Sequence, residues 1–402
     1  MTEEQRDAGV RVPLRIFGWS RLAIWGAIVV IWLVSESYEN PLSKGDDLTH
    51  KGGYLLEALA RWDSGWLLAI ADKGYSTAHD SYAFFPLYPL LVGVLGRVLL
   101  HHFLLAAVIV SLACGAAAFV LLHRLVVQLR GPEVAERSVL LLAVFPTSLF
   151  LGVAYTESLY LLLTVAAFLL AERRQWLGAG VASGLAILTR SSGVALLVAL
   201  PFLAWRSTNR RRSFAELSVA LPIAALYPIY LWARTGHPFI FMTAQREGWG
   251  RRVPSTGPLA GIGRGLYAGF QGVRQLIAGA GPTTTHTYWG WATDTTVPRA
   301  AAISVFNAFA LVVFGWLAVV AWRRLGSAYG VFSVVSLLIP LAAPTQRWPL
   351  LSLPRFGVTI FPLFIALALV AERRQTMRAV VWTSVVLAAV VVEQWATYYF
   401  IS

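Results

Sequence analysis

Long apolar runs separated by short basic clusters dominate the chain. Apolar segments close to the roughly 20 residues needed to cross a bilayer recur from one end to the other. Arginine pairs or triplets stand at the ends of several runs, at 173–174, 210–212, 323–324 and 373–374. Because basic residues stay on the cytoplasmic side of membrane helices, the pattern predicts an all-α polytopic membrane protein and orients its helices.

When the ends of successive apolar runs are assigned alternately to the two faces of the membrane, the sequence predicts ten or eleven spans. The first is a retained N-terminal helix, because residues 35–37 make a poor signal-peptidase site. Residues 38–83 then form a first outer loop, residues 206–212 are cytoplasmic, and residues 234–300 form a long outer loop. We expect residues 1–402 to form a single integral membrane domain.

Two segments do not fit a simple series of full-length spans. Residues 176–205 are too long for one span and short for two, so we expect two shortened helices that turn at residues 189–192. Residues 84–100 would start and end on the outer face. Either this stretch is re-entrant, or the basic residues of 130–137 break the positive-inside rule. The sequence leaves both alternatives open.

The composition agrees with a membrane protein and argues against several soluble classes. Only 13% of the residues are charged, about half the share typical of soluble domains, and the mean hydropathy is +0.64. The net charge of +13 follows from the basic clusters at helix ends, so no nucleic-acid partner is expected. The single cysteine, Cys114, allows neither an intrachain disulfide nor a cysteine metal cluster, and no metal or cofactor is predicted.

A charged stretch, RWDSGWLLAIADKGY at 61–75, interrupts the apolar pattern after the first span. Apolar residues recur at three- and four-residue steps between residues 54 and 75, which predicts an amphipathic helix lying at the membrane interface. Arg61 and Asp63 would project from its polar side. The pattern alone leaves Asp63 as either a solvated helix acid or a base that acts on a lipid-linked substrate.

This stretch, followed by YAFFPLYPLL at 82–91, resembles the signature of the PIG-V mannosyltransferases, which add the second mannose to glycosylphosphatidylinositol anchors. Three more stretches are similar in the same order: FPTSLFLGVAYTESLYLLL at 145–163, GLAILTRSSGVAL at 184–196 and LPRFGVTIFPLF at 353–364. The resemblance implies a GT-C-type glycosyltransferase whose active site faces away from the cytoplasm. It also implies an essential acid in the first outer loop, and the matching acid is Asp63.

The resemblance also implies the chemistry. The donor would be polyprenyl-phosphate-mannose, and the acceptor a glycolipid or another glycan. Asp63 would act as general base on the acceptor hydroxyl, with inversion at the anomeric carbon. Its neighbours Arg61 and Trp62 are candidate substrate-binding residues. Arg190 and Arg355 are candidates to stabilise the leaving lipid phosphate, although each is also explained as an interface anchor.

Several alternatives stay open at the level of sequence. Glu157 either orients the acceptor or favours a helix N-terminus electrostatically. A transporter of lipid-linked sugars would also have many spans and membrane arginines, but it would be expected to show internal repeats. A GT-C enzyme with a protein acceptor would differ only in that acceptor. No pattern in the chain predicts an oligomeric state.

The composition is typical of a bacterial chain. We therefore expect the bacterial plasma membrane, with the active site facing outward; in a eukaryote the corresponding membrane would be the endoplasmic reticulum.

The predicted orientation is tested by cysteine labelling on intact cells. In a background without Cys114, a cysteine at Thr49 should react with an impermeant maleimide, because residues 38–83 face outward. A cysteine at Thr208, within the cytoplasmic cluster, should react only after the membrane is opened. Labelling of position 208 but not of position 49 on intact cells would reverse the orientation.

Overall fold

The computed structural model of the chain is helical almost throughout. It describes residues 3–35, 53–76, 79–279, 286–288, 291–293, 298–345 and 348–397. Two three-residue strands, β1 (His286–Tyr288) and β2 (Trp291–Thr293), pair antiparallel with His286 opposite Thr293. The α-helices are, in chain order, α1 (Glu3–Val34), α2 (Tyr54–Glu57), α3 (Asp63–Lys73), α4 (Leu87–Val98), α5 (Phe103–Arg130), α6 (Pro132–Val144), α7 (Glu157–Glu172), α8 (Trp176–Thr189), α9 (Val194–Ala199), α10 (Pro201–Ala204), α11 (Arg210–Leu217), α12 (Ala220–Thr235), α13 (Ile240–Gly248), α14 (Pro258–Ala278), α15 (Pro298–Leu325), α16 (Ser327–Ala342), α17 (Leu353–Gly357), α18 (Phe361–Val370) and α19 (Arg374–Ala396).

The helices confirm the predicted all-α membrane class. Within the described ranges, five helical segments are long and apolar enough to cross a membrane: Gly9–Val34, Phe103–Arg130, Arg210–Thr235, Ala301–Leu325 and Arg374–Ala396. Five apolar helices of 10–17 residues accompany them: Leu87–Val98, Trp176–Thr189, Ser191–Ala204, Ser327–Ala342 and Phe361–Val370. Ten apolar helical segments are therefore described, of which only half have the length of a full span.

Two large apolar clusters hold the helices together. The larger one joins α5–α9 to α15, α16 and α18, and the second joins α1, α3, α4 and α5 to α19. Large apolar side chains also cover the outside: Leu90 and Val94 of α4 are 61% and 65% exposed, and Trp382 of α19 is 68% exposed. Such a surface is unfavourable in water and is expected where lipid surrounds the helices.

The predicted interruption at residues 189–192 is confirmed. Helix α8 ends at Thr189, Arg190 is extended with φ −155° and ψ 142°, and a 3₁₀ turn, Ser191–Gly193, leads into α9. Gly180 of α8 faces the end of α11 and Gly184 faces α12, and a Cβ on either residue would collide with these segments. Close helix packing therefore explains this pair of glycines.

The length of α4 supports one of the two alternatives for residues 84–100. Its 12 residues cover about 18 Å, well short of the roughly 30 Å hydrocarbon thickness. The chain then turns sharply into α5 through Leu100 and His101, whose φ angles are 54° and 68°. A helix this short, followed at once by a tight turn, supports the re-entrant alternative.

The predicted continuous interfacial helix over residues 54–75 is wrong. The structure has two helices, α2 and α3, separated by an irregular segment at 58–62. The carbonyl of Leu59 accepts a hydrogen bond from the N–H of Ala154, and Trp62 has φ 45°, which is outside the helical region. A distant segment therefore takes the hydrogen bond that a helix would need. Residues 38–52 of the predicted loop lie outside the described residues.

The segment predicted to be a long outer loop, residues 234–300, contains two helices, α13 and α14. Four glycines of α14 lie at helical spacing and face α15, α16 and Leu350: Gly261, Gly265, Gly269 and Gly272. The glycine-rich composition suggested a loop, but at this spacing it allows close helix packing. Residues 280–285 and 294–297 are not described, and neither are the side chains of Tyr288, Trp289 and Trp291.

The packing of α14 generates a stability prediction with a matched control on the same helix. A Cβ at Gly261 would collide with the backbone carbonyl of Leu341, whereas a Cβ at Gly263 would meet nothing within 4 Å. Gly261→Ala should therefore destabilise the protein by about 1–3 kcal/mol through overpacking. Gly263→Ala should be neutral or slightly stabilising, because alanine favours the helix over glycine.

The measurement is the thermal unfolding midpoint of each purified variant in detergent. Equal midpoints for the two variants would show that α14 does not pack against α16 through its glycines.

Candidate active site

A cavity of about 370 Å³ lies between α3, the α8–α9 turn, α13, α16 and α17. Four of the six predicted site residues line it: Trp62, Asp63, Arg190 and Arg355. Arg251 also lines the cavity, and many of the other lining residues are aromatic or aliphatic, among them Phe84, Phe85, Phe241, Met242 and Trp249. The cavity lining therefore combines three cationic side chains with many aromatic and aliphatic ones.

A chain of alternating charges connects four residues that are far apart in the sequence. Arg355 donates from Nη1 to Oδ2 of Asp63 at 2.7 Å and from Nε to Oε1 of Glu157 at 2.5 Å. Arg190 donates from Nη1 to the same Oε1 atom at 2.7 Å. Glu157 is fully buried, whereas the side chains of Asp63, Arg190 and Arg355 keep 22%, 15% and 13% exposure. One buried carboxylate thus holds two guanidiniums at the cavity wall.

Asp63 is held in place by the backbone in front of it. It is the first residue of α3 and follows Trp62, whose φ of 45° is rare for a bulky side chain. Ser64 stabilises this conformation, because its Oγ accepts from the N–H of Arg61 and donates to the carbonyl of Ala154. The Tyr155 hydroxyl donates to the carbonyl of Arg61 at 2.9 Å. Strained backbone that is clamped from several sides is frequent at functional sites.

The FFPLYP stretch stabilises the same region through buried hydrogen bonds. The Tyr88 hydroxyl is fully buried and hydrogen bonds to the carbonyl of Ala107 and to Oγ of Ser111. Ser111 in turn donates to the carbonyl of Tyr155 at 3.2 Å. These bonds connect α4 and α5 to the segment that positions Asp63.

The two arginine-bearing stretches are also fixed by neighbouring segments. At the α8–α9 turn, a Cβ on Gly193 would collide with the backbone of residues 186 and 187, so the turn that carries Arg190 requires glycine. Thr147 of the FPTS stretch donates from Oγ1 to the carbonyl of Pro354 at 2.8 Å, next to Arg355. Each signature stretch therefore contributes either a cavity residue or its support.

Arg61 does not follow its predicted placement on a polar helix face. It is only 2% exposed and is not among the residues lining the cavity. Its Nη1 atom donates to the carbonyls of Glu57 and Ala60, and its guanidinium lies 5.9 Å from the ring centre of Trp32. The guanidinium therefore stabilises the irregular segment between α2 and α3. Asp63 likewise lies at a cavity wall and not on a solvated helix face.

Arg251, Tyr155 and Phe356 join the site although the sequence analysis did not select them. The guanidinium of Arg355 lies 4.4 Å from the ring centre of Tyr155. The ring of Phe356 has the guanidiniums of Arg190, Arg251 and Arg355 at 4.9, 5.6 and 6.0 Å. Tyr155 was detectable as part of the matching YTES stretch, whereas Arg251 stood in a segment interpreted as a loop.

Arg251 retains its charge under physiological conditions. Burial lowers the pKa of its guanidinium to about 10, which still leaves the group protonated at neutral pH. Among the described residues no cluster of three or more histidine, cysteine, aspartate or glutamate side chains has the arrangement of a metal site. The charged groups identified in the cavity wall are thus three arginines and Asp63, with Glu157 buried behind them.

Comparison with known proteins gives a partial match. The family model described as Mannosyltransferase (PIG-V) matches residues 35–215. GPI alpha-1,6-mannosyltransferase 2 of Mus musculus is 34% identical over 160 residues, which cover 37% of this chain and 31% of the mouse protein. GPI mannosyltransferase 2 of Yarrowia lipolytica is 30% identical over 149 residues, which cover 37% of this chain and 40% of the yeast protein. The match thus spans about a third of the length of these relatives.

A solved structure aligns with more of the chain, but with a lower sequence identity. The archaeal oligosaccharyltransferase AglB from Archaeoglobus fulgidus, in complex with an inhibitory peptide and a dolichol-phosphate, covers 94% of this chain and 55% of its own. The TM-score is 0.42 and the identity 15%, too low to establish a common fold. The predicted resemblance rests on the sequence and is confirmed over residues 35–215, which include Asp63, Glu157 and Arg190 and are similar to the PIG-V mannosyltransferases.

Proposed function

We propose that this chain is a GT-C-type membrane mannosyltransferase that moves mannose from polyprenyl-phosphate-mannose to a hydroxyl of a glycolipid or another glycan. The observation that carries the proposal is Asp63, ion-paired to Arg355 at the wall of a cavity that is lined by three arginines and by many apolar side chains. Such a cavity suits a donor that combines an anionic phosphate with an isoprenoid tail. The relatives named GPI mannosyltransferases support mannose as the sugar and a lipid-linked glycan as the acceptor.

Asp63 is the proposed general base. An ionised carboxylate has capacity for about four hydrogen bonds, so the contact of Oδ2 with Arg355 leaves room for an acceptor hydroxyl. The hydroxyl proton passes to Asp63 as the hydroxyl oxygen attacks the anomeric carbon of mannose. The bond from that carbon to the phosphate oxygen breaks on the opposite face, so the configuration inverts and polyprenyl phosphate leaves with the bonding electrons.

Arg190 and Arg355 are the proposed stabilisers of the leaving phosphate. Both guanidiniums are held in one orientation by Glu157, and both retain an exposed fraction at the cavity. Preoriented cations stabilise developing negative charge without reorganising during the reaction. Glu157 is therefore assigned as a positioning residue and not as an acceptor ligand, because it is fully buried behind the two arginines.

The remaining predicted residues receive supporting roles. Trp62 lines the cavity beside Asp63 and offers an apolar face to the sugar or the lipid. Arg61 lies outside the cavity and maintains the backbone before Asp63. We further propose that this site faces the outside of a bacterial plasma membrane, or the lumen of the endoplasmic reticulum in a eukaryote, on the basis of the basic clusters at helix ends.

The central test is Asp63→Asn. Asparagine keeps the size of the side chain but cannot accept the hydroxyl proton at neutral pH. Mannose transfer should therefore fall by about 10²-fold or more. The measurement is the transfer of labelled mannose from polyprenyl-phosphate-mannose to a panel of glycolipid, glycan and peptide acceptors in membranes that contain equal amounts of protein.

Asp72→Asn is the matched control, because Asp72 is a carboxylate of the same helix, α3, but does not line the cavity. It should retain most of the activity. A folded Asp63→Asn protein with the unmodified rate would contradict the assignment of the base. Transport of the intact donor lipid without any mannose transfer would favour the transporter.

The second test is Arg355→Lys, which keeps the charge but loses the planar fork that reaches both Asp63 and Glu157. A single ammonium cannot reproduce both contacts and the donor orientation, so turnover should fall by about tenfold or more. Arg234→Lys is the control, because Arg234 is exposed and donates to a backbone carbonyl outside the cavity. The kcat of each variant at saturating donor is the measurement. Equal values for the two variants would return Arg355 to the role of an interface anchor.

A further inference from the structure

Arg251 differs from the other two arginines of the cavity in how its charge is balanced. Arg190 and Arg355 each contact Glu157, and Arg355 also contacts Asp63. Within the described part of the chain, no carboxylate lies within ion-pair distance of Arg251. Its side chain donates only to the carbonyl of Ala343, at a long 3.4 Å, and stacks near Phe356.

The three guanidiniums converge on one ring, that of Phe356, within 6.0 Å of its centre. Like charges repel at such distances, and the ring attracts each cation only weakly. Two carboxylates, Asp63 and Glu157, face three cations, so one positive charge is left in excess. Arg251 is the one of these three arginines that neither carboxylate contacts directly, although Asp63 still acts on its charge across the cavity.

The backbone presents Arg251 to the cavity in a defined way. Gly250, with φ 63°, forms the turn after α13, a conformation that favours glycine. The N–H of Arg251 then donates to the carbonyl of Gln245, and an isolated antiparallel bridge pairs Arg251 with Thr345. These contacts involve the main chain alone, so they leave the guanidinium available for a ligand.

From these observations we infer that Arg251 is the principal contact for the phosphate of a lipid-linked substrate bound in this cavity. The phosphate supplies the negative charge that the cavity lacks, and a guanidinium binds phosphate oxygens in a bidentate manner. Arg251 lies outside residues 35–215, the region of the family match. The inference rests on the proposed function for the identity of the lipid, and adds to it a residue that determines recognition of the phosphate.

The test compares two lipids that differ only in the phosphate, undecaprenyl phosphate and undecaprenol. Equilibrium binding of each radiolabelled lipid to the purified full chain in nanodiscs gives the ratio of their affinities. Arg251→Gln should lower the preference for the phosphate by about tenfold or more, as expected for a lost charge-assisted contact. Binding of undecaprenol should remain unchanged, because the substitution leaves the apolar residues that line the cavity unaltered.

Arg252→Gln is the matched control. Arg252 is the neighbouring residue, it is exposed, and it does not line the cavity. This variant should keep the preference of the wild-type chain. An Arg251→Gln protein with the same preference as Arg252→Gln would overturn the inference.

A second variant guards against loss of folding. Arg251→Lys keeps the charge and loses the planar fork, so its preference for the phosphate should fall by about threefold. If Arg251→Gln does not fold, an unchanged preference in Arg251→Lys overturns the inference. Because the readout is binding, its outcome is separate from that of the transfer assay. If Arg251→Gln loses the preference while wild-type membranes transfer no mannose, the phosphate contact stands and the proposed function fails.

Discussion

The site depends on the carboxylate of Glu157, which is completely buried and accepts hydrogen bonds from two arginines on one oxygen. A buried charge is tolerated only when its partners compensate the loss of hydration, and removing one partner typically costs about 3–5 kcal/mol. Glu157 therefore requires Arg190 and Arg355 to lie against α7. Arg355 in turn reaches Asp63, so the position of the proposed base follows from the requirement of a buried acid.

The other signature stretches make this constraint structurally feasible. Tyr155 hydrogen bonds to the backbone before Asp63, and its ring lies beneath Arg355. Thr147 holds the carbonyl next to Arg355, and Gly193 allows the tight turn after Arg190. These residues were visible in the sequence only as parts of matching motifs. Their common physical role is to keep four charged side chains, from four distant segments, in contact with one another.

The cavity combines two environments that suit an amphipathic lipid. The FFPLYP stretch and α13 contribute aromatic and aliphatic side chains to its lining, whereas the α8–α9 turn, α17 and the turn after α13 contribute the arginines. Several helices that line it, including α3, α13 and α17, do not have the length of a full span. Short helices can end inside a membrane protein when the polar backbone groups at their ends are hydrogen bonded within the protein. The residues at such helix ends can then form a site.

The sequence by itself determined the class of the protein, its major helices, the interruption at Arg190 and the candidate residues Asp63, Glu157, Arg190 and Arg355. These features follow from local hydropathy, basic clusters and motifs that match a family, and they need no knowledge of long-range contacts.

Only the tertiary structure decided how these residues meet. It divided the predicted interfacial helix, because the N–H of Ala154 donates a hydrogen bond to the carbonyl of Leu59. It also placed the packed helix α14 in the glycine-rich stretch of the predicted outer loop. It buried Arg61 and brought Arg251 to the cavity. The physical reason is contact between segments that are distant in the sequence: Ala154 hydrogen bonds to Leu59, Arg355 pairs with Asp63, and the glycines of α14 pack against α15 and α16.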